Sequence, residues 1–246
     1  MVEQGFNICI IARSEEKIAQ RLEEITKEFP KVRTFSVVAD FDKIHTIEDY
    51  KTQIGDQLRF LDIAMLFLNA GVSHVGAFAD ITNQEVQEMV SVNALQPIYC
   101  AKVLLPIMLK RANRGQRSAI VVTSSGLGGR PVAGTITYSA AKAFSSFLAQ
   151  GLSYELEEQN VDVLSWECGP TQTKMMRGRK GAKLLSPEAA VKGMLRDLGK
   201  ERLTYGVLKN DRSSSLFMAM PSGFINRMMF KAMKGARERR IKEGLQ

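Results

Sequence analysis

Tyr138 and Lys142 stand four residues apart in the run Tyr138-Ser139-Ala140-Ala141-Lys142. On a helix that spacing puts both side chains on one face. A free tyrosine titrates near about 10, so alone it exchanges protons poorly at neutral pH. A lysine ammonium one turn away stabilises the phenolate and brings that value toward the useful range. The same spacing also suits a surface tyrosine and a solvated lysine. Ser125 comes just after an apolar run, 119–123, where its hydroxyl could donate to a carbonyl oxygen or simply be solvated in a turn. Asn93 lies inside a long helical stretch, where an amide gains little from helix propensity and suits a buried, satisfied group. Asn69-Ala70-Gly71 follows a short apolar run, and Gly71 either lets the backbone come close to something or makes a plain turn. Gly169-Pro170, then Thr173, follow another apolar run, and Pro170 blocks continuation of a strand ladder there.

The elements that must hold these residues alternate between strand and helix. Strands are predicted over 6–12, 33–39, 63–68, 119–123 and 161–166. Helices are predicted over 15–29, with Ser14 as a partial N-cap, and over 47–58, 84–112, 138–159 and from Pro187 to about Gly199. Pro97 and Pro106 predict kinks in the third of these helices. Such alternation implies an α/β fold, with a parallel sheet covered on both faces and ligands gathered at the C-terminal edge of its strands.

The chain has 246 residues, which suits one α/β domain of up to about 250 residues. With 45% hydrophobic and 24% charged residues it is an ordinary globular composition, which excludes wholesale disorder. The net charge of +8 is local. Residues 227–246 hold seven Lys/Arg against two Glu, and Lys174, Arg177, Arg179, Lys180 and Lys183 cluster without an acid between them. That pattern favours a local anionic partner over nucleic acid. The three cysteines, in or beside apolar runs, read as reduced core residues of a cytosol-facing protein. His45 and His74 lack ligand-spaced neighbours, so no metal site is expected. No run reaches the length of apolar residues that a membrane span requires, and no signal peptide is expected.

Taken jointly, Asn69-Ala70-Gly71, Asn93, Ser125, Tyr138 with Lys142, and Gly169-Pro170 with Thr173 resemble the motif series of the short-chain dehydrogenase/reductase family, from residue 5 to about residue 200. The resemblance implies a Rossmann-like, doubly wound parallel sheet and a nicotinamide-dependent carbonyl reductase. Tyr138 would be the general acid, Lys142 would bind the nicotinamide ribose and tune Tyr138, Ser125 would orient the carbonyl, and Asn93 would hold a water in the proton relay. Asn69, Ala70 and Gly71 would line the cofactor site, Thr173 would contact the carboxamide, and Asp40 would meet the adenine. Arg13, where an acid usually reads NAD, suits the 2′-phosphate of NADP. The family's usual Pro-Gly order is here Cys168-Gly169-Pro170. The family's first strand, glycine-rich loop and most of the next helix are expected to be missing before residue 5, with Gly5 as that helix's stop. That loss would leave two strands without a neighbour. It implies either a truncated version of a longer protein or a form that cannot bind cofactor normally.

The runs Ile11-Ala12-Arg13-Ser14-Glu15-Glu16-Lys17, Thr123-Ser124-Ser125-Gly126 and Ser186-Pro187-Glu188 further resemble the branch holding very-long-chain 3-oxoacyl-CoA reductases and type 12 and type 3 17β-hydroxysteroid dehydrogenases. That branch implies NADPH, a lipid-like substrate such as a 3-oxoacyl-CoA or a steroid ketone, and the endoplasmic reticulum membrane, with a soluble cytoplasmic location as the alternative. A homodimer through helices 84–112 and 138–159 is also implied. The alternative function is a non-catalytic relative serving as an interaction module. Residues 1–205 are read as the reductase domain and 206–246 as a basic amphipathic extension. In its helix Phe224, Ile225, Met228, Met229, Ala232 and Met233 share a face opposite Arg227, Lys231 and Lys234. Such a helix suits a membrane interface over 222–243, or packing on its own domain.

Overall fold

The computed structural model describes residues 1–176 and 184–244. It has the α/β, Rossmann-like architecture, and its chain divides into two compact units, 1–61 and 62–246. Residues 206–246 thus belong with the second unit.

In the first unit, β1 (Ile8–Ala12) and β2 (Thr34–Val38) pair in parallel, Ala12 opposite Val38. Between them runs α1 (Glu15–Glu28), whose N-cap Ser14 accepts a hydrogen bond from Lys17 N. Ile18 is its buried anchor. Helix α2 (Ile47–Tyr50) starts at a capping box between Thr46 and Asp49, passes through a π turn at Lys51–Gly55 and ends as α3 (Asp56–Leu58). Tyr50 stacks on Phe41, and Ile54 and Leu58 complete this core. Gly5 takes φ 85 after the short 3-10 turn Val2–Gln4, the left-handed stop that its position predicted.

The second unit is a four-stranded parallel sheet in the order β3 (Met65–Leu68), β4 (Ser118–Thr123), β5 (Val161–Trp166) and β6 (Leu203–Thr204). Among the described residues β1 and β3 each pair on one side, the expected two strands without a second neighbour, so the strands form two sheets. The second sheet is covered on both faces. Helices α4 (Asn83–Val90), α5 (Gln96–Ala112) and α6 (Ile136–Glu155) lie on one face. On the other, Ala190 and Met194 of α7 (Pro187–Asp197) pack on Val121, Leu164 and Trp166. The alternation of β5 explains both contacts, since neighbouring residues point to opposite faces.

The long helix 83–112 departs from the predicted cause of its irregularity. A π turn at Ser91–Leu95 separates α4 from α5, while Pro97 sits at the start of α5 and Pro106 is carried inside it. This helix is long and apolar enough to cross a membrane by length and composition, but it packs on β3, β4 and α6 as a core helix does.

Helices α8 (Leu208–Ala219) and α9 (Ser222–Lys242) complete the unit. Helix α9 packs on its own unit: Ile225 and Met233 are buried, and Asn226 Oδ1 accepts from Ala133 N at 2.7 Å. Arg237 forms a bidentate pair with Glu85 and donates to Asp80 O. Of the predicted apolar face, Phe224 and Met228 are nonetheless exposed, as is Phe230.

Candidate active site

Strands β3, β4 and β5 end side by side, and helix α6 begins where they end. Tyr138 and Lys142, one turn apart on α6, are 8% and 4% exposed, which removes the surface-pair reading. Lys142 Nζ donates to the Thr123 carbonyl at 2.7 Å and lies 6.0 Å from the centre of the Tyr138 ring. Burial pulls Lys142 down to about 8, against the opposite influence of Cys168 and Glu167. Desolvation disfavours the charged form of a base, so this lysine holds its proton less firmly than a surface one.

Ser125 is buried two residues past β4. Its Oγ accepts from Leu127 N at 3.2 Å as the cap of the short turn Gly126–Gly129, which leaves the hydroxyl proton to donate. This glycine run lies against α6. A Cβ on Gly128 would come within 2.9 Å of Ala143 N and the Lys142 carbonyl carbon, so close backbone approach is what its glycine serves.

Asn93 sits in the π turn, fully buried. Its Nδ2 donates to Val72 O and Met89 O, both at 2.9 Å, and its Oδ1 accepts from Val72 N at 3.2 Å. Both amide protons are therefore committed to backbone. The Asn93 carbonyl accepts from Ser145 Oγ of α6 at 2.5 Å. A π turn shifts the helical hydrogen-bond register, and such turns frequently mark functional sites. Asn69 is exposed, and its Oδ1 accepts from Thr123 Oγ1 at 3.0 Å. A Cβ on Gly71 would lie 3.1 Å from Asn93 Oδ1 and 3.4 Å from Lys142 Nζ, so a larger residue would crowd the lysine head.

The structure therefore brings Asn69, Ala70, Gly71, Asn93, Ser125, Tyr138 and Lys142 to one edge of the second sheet. Thr173 is exposed, whereas Thr171 is buried and donates to Gly169 O. Arg13 and Asp40 belong to the first unit, each just past one of its two adjacent strand ends. Asp40 Oδ1 accepts from Asp42 N at 3.3 Å. Arg177, Arg179, Lys180 and Lys183 lie outside the described residues.

Two features escape a motif reading. His74 contacts Glu88 at 2.7 Å and Glu85 at 3.3 Å, joining the Arg237 pair; only the fold brings residue 237 to residue 85. Glu167, directly after β5, is 3% exposed and accepts from Ser146 Oγ at 2.6 Å and Ser165 Oγ at 2.9 Å. An acid at the end of an apolar strand was the available signal.

A family model for short chain dehydrogenases matches residues 1–183. The chain is 29% identical over 248 residues to the very-long-chain 3-oxoacyl-CoA reductase of Homo sapiens, covering 99% of this chain and 77% of that protein. The enzyme of the same name from Anas platyrhynchos is 28% identical over the same coverage. Among solved structures, a 7beta-hydroxysteroid dehydrogenase superposes with a TM-score of 0.79 at 24% identity, covering 92% of this chain and 87% of that one. The 3-ketoacyl-(acyl-carrier-protein) reductase of Brucella melitensis, complexed with NADH, gives 0.70 at 18% identity, covering 82% and 86%.

Proposed function

The chain belongs to the short-chain dehydrogenase family, and we propose that it works as an NADPH-dependent reductase of a ketone on a lipid-like substrate, a 3-oxoacyl-CoA before a steroid ketone. The observation that carries this reading is the buried Tyr138–Lys142 pair beside Ser125. The residues fit a nicotinamide cofactor at the Lys142 end. The missing Cβ of Gly71 leaves room at the ammonium, which has three N–H donors and spends one on Thr123 O. Lys142 and Tyr138 would hold the nicotinamide ribose, Asn69, Ala70 and Gly71 would line the pocket, and Thr173 would reach the carboxamide. An Arg at position 13 suits the 2′-phosphate that distinguishes NADP, which is why NADPH is preferred here.

Bound there, the cofactor supplies a hydride. Ser125 Oγ donates to the substrate carbonyl and holds it against Tyr138. Tyr138 gives its phenolic proton to the developing alkoxide, and the Lys142 ammonium stabilises the phenolate left behind. Asn93 fixes the backbone of Val72 and thereby the approach of Gly71 to Lys142. The resemblance to acyl-CoA reductases and the basic run 174–183 support a substrate carrying phosphates. NADPH oxidation with a 3-oxoacyl-CoA, compared with an uncharged ketone, tests the substrate. If neutralising Arg177 and Lys180 leaves both Michaelis constants unchanged, the basic run has no part in it.

The second reading, an interaction module without catalysis, is favoured by the one-sided pairing of β1 and β3 among the described residues. Failure to bind NADPH in a direct titration would select it. We further propose that the protein sits on the cytosolic side of the endoplasmic reticulum membrane. Exposed Phe224, Met228 and Phe230 on α9, with Arg227, Lys231 and Lys234 among them, suit an anionic lipid surface. Vesicle flotation decides it, because a chain cut after Ser215 should no longer float.

A further inference from the structure

Glu167 is a buried ionisable group that the reaction outlined above does not use. Strand register places it beside the site. Trp166 is the partner of Thr123, and the Thr123 carbonyl holds Lys142 Nζ. Ser146 stands one turn after Lys142 on the same face of α6, and its hydroxyl reaches Glu167 Oε1 at 2.6 Å. Ser146 Oγ also accepts from Gln150 Nε2 at 2.9 Å, so its single proton is directed at Glu167. Ser165 donates to the same oxygen, and the neighbouring Ser124 donates to the Lys142 carbonyl. A buried acid is costly unless it is paired and hydrogen-bonded, and Ser146 and Ser165 supply the hydrogen bonds here.

We propose that Glu167 is a positioning residue acting through Lys142: its serine-held carboxylate, carried on the neighbouring strand end, stabilises the charged form of the lysine head group. The inference rests on the catalytic reading of Lys142 given above, and it adds a group that sets when that lysine is charged. Burial pushes Glu167 up, while the hydrogen bonds from Ser146 and Ser165 and then the Lys142 charge act to lower it. The groups acting on Lys142 are Glu167 and Cys168 from the end of β5, with the Tyr138 ring on its own helix. Burial pushes the Cys168 thiol up, away from its thiolate form, so the proposal assigns the charge that acts on Lys142 to the Glu167 carboxyl.

The test needs no turnover. In protein labelled with 13C- and 15N-lysine, the Lys142 side-chain signal is assigned by its loss in Lys142→Met. It is then followed over a pH titration, with a midpoint near about 8 expected. Glu167→Gln keeps the size and the hydroxyl contacts but removes the charge, and should lower the midpoint by about one pH unit or more. An unchanged or raised midpoint in the folded variant overturns the proposal and leaves Glu167 a structural acid. The reciprocal measurement covers a variant that does not fold. Lys142→Met should raise the titration of the Glu167 carboxyl carbon by a matching amount, because coupling between two sites is mutual. No shift there overturns the proposal equally. Reductase activity retained by Tyr138→Phe would sink the functional reading while leaving this coupling measurable, so the two failures are distinct.

Discussion

Asn93 and Val72 form a two-point pair, in which the side-chain amide of one both donates to and accepts from the backbone of the other. The amide thus does what a neighbouring strand would do, and ties the loop after β3 to the π turn before α5. Asn93→Ala leaves the N–H and carbonyl of Val72 without this partner, and Met89 O as well. A loss of about 1–3 kcal/mol is expected in chemical denaturation. Activity should fall further than stability explains, because Gly71 approaches Lys142 next door. Full activity in a destabilised Asn93→Ala protein would remove Asn93 from the site.

Tyr138→Phe keeps the buried ring and removes the transferable proton. Steady-state NADPH oxidation should drop by at least about 100-fold, within the range for loss of a general acid. The thermal transition should change little, since the ring still fills its place. Near-normal turnover would reject Tyr138 as the acid.

Arg237 holds the Glu85 carboxyl down to about 2, with the Thr82 N–H and His74 assisting against burial. A carboxyl lowered by folding contributes stability that is present above its unfolded value, about 4.3, and is lost as pH falls through the folded value. Helix α9 should therefore loosen between about pH 4 and pH 2, read as faster hydrogen exchange of its amides. In Glu85→Gln that step should vanish. If wild type and variant lose protection together, the pair does not anchor α9.

Phe144, Phe147, Gly151 and Tyr154 follow one another along α6, and Phe147 is 75% exposed. We expect this stripe to meet its copy in a homodimer. Light scattering should report a dimer for the wild-type chain and a monomer for Phe147→Glu. A wild-type chain that is monomeric and fully folded at high concentration would count against the dimer.

The strand-helix alternation up to residue 199, the parallel pairing and the shared helix face of Tyr138 and Lys142 were legible in the sequence, because each is written in local pattern. Apolar runs of strand length alternate with helical periodicity, and Tyr138 and Lys142 need only one turn of helix to share a face. The sequence also determined that Gly5 would stop a helical turn, as its φ of 85 bears out. Other features depend on partners distant in the chain. The irregularity in helix 83–112 fell at Ser91–Leu95 and not at a proline, in a turn whose Asn93 is bonded to Val72 and Ser145. Arg237 meets Glu85 across 152 positions, so of the two settings the basic tail suited, packing on its own unit is the one this part of the helix adopts. Glu167 reads in sequence as an acid after an apolar strand. Only packing shows that Ser146 and Ser165 hold it out of water beside Lys142, where the low dielectric lets one charge govern another.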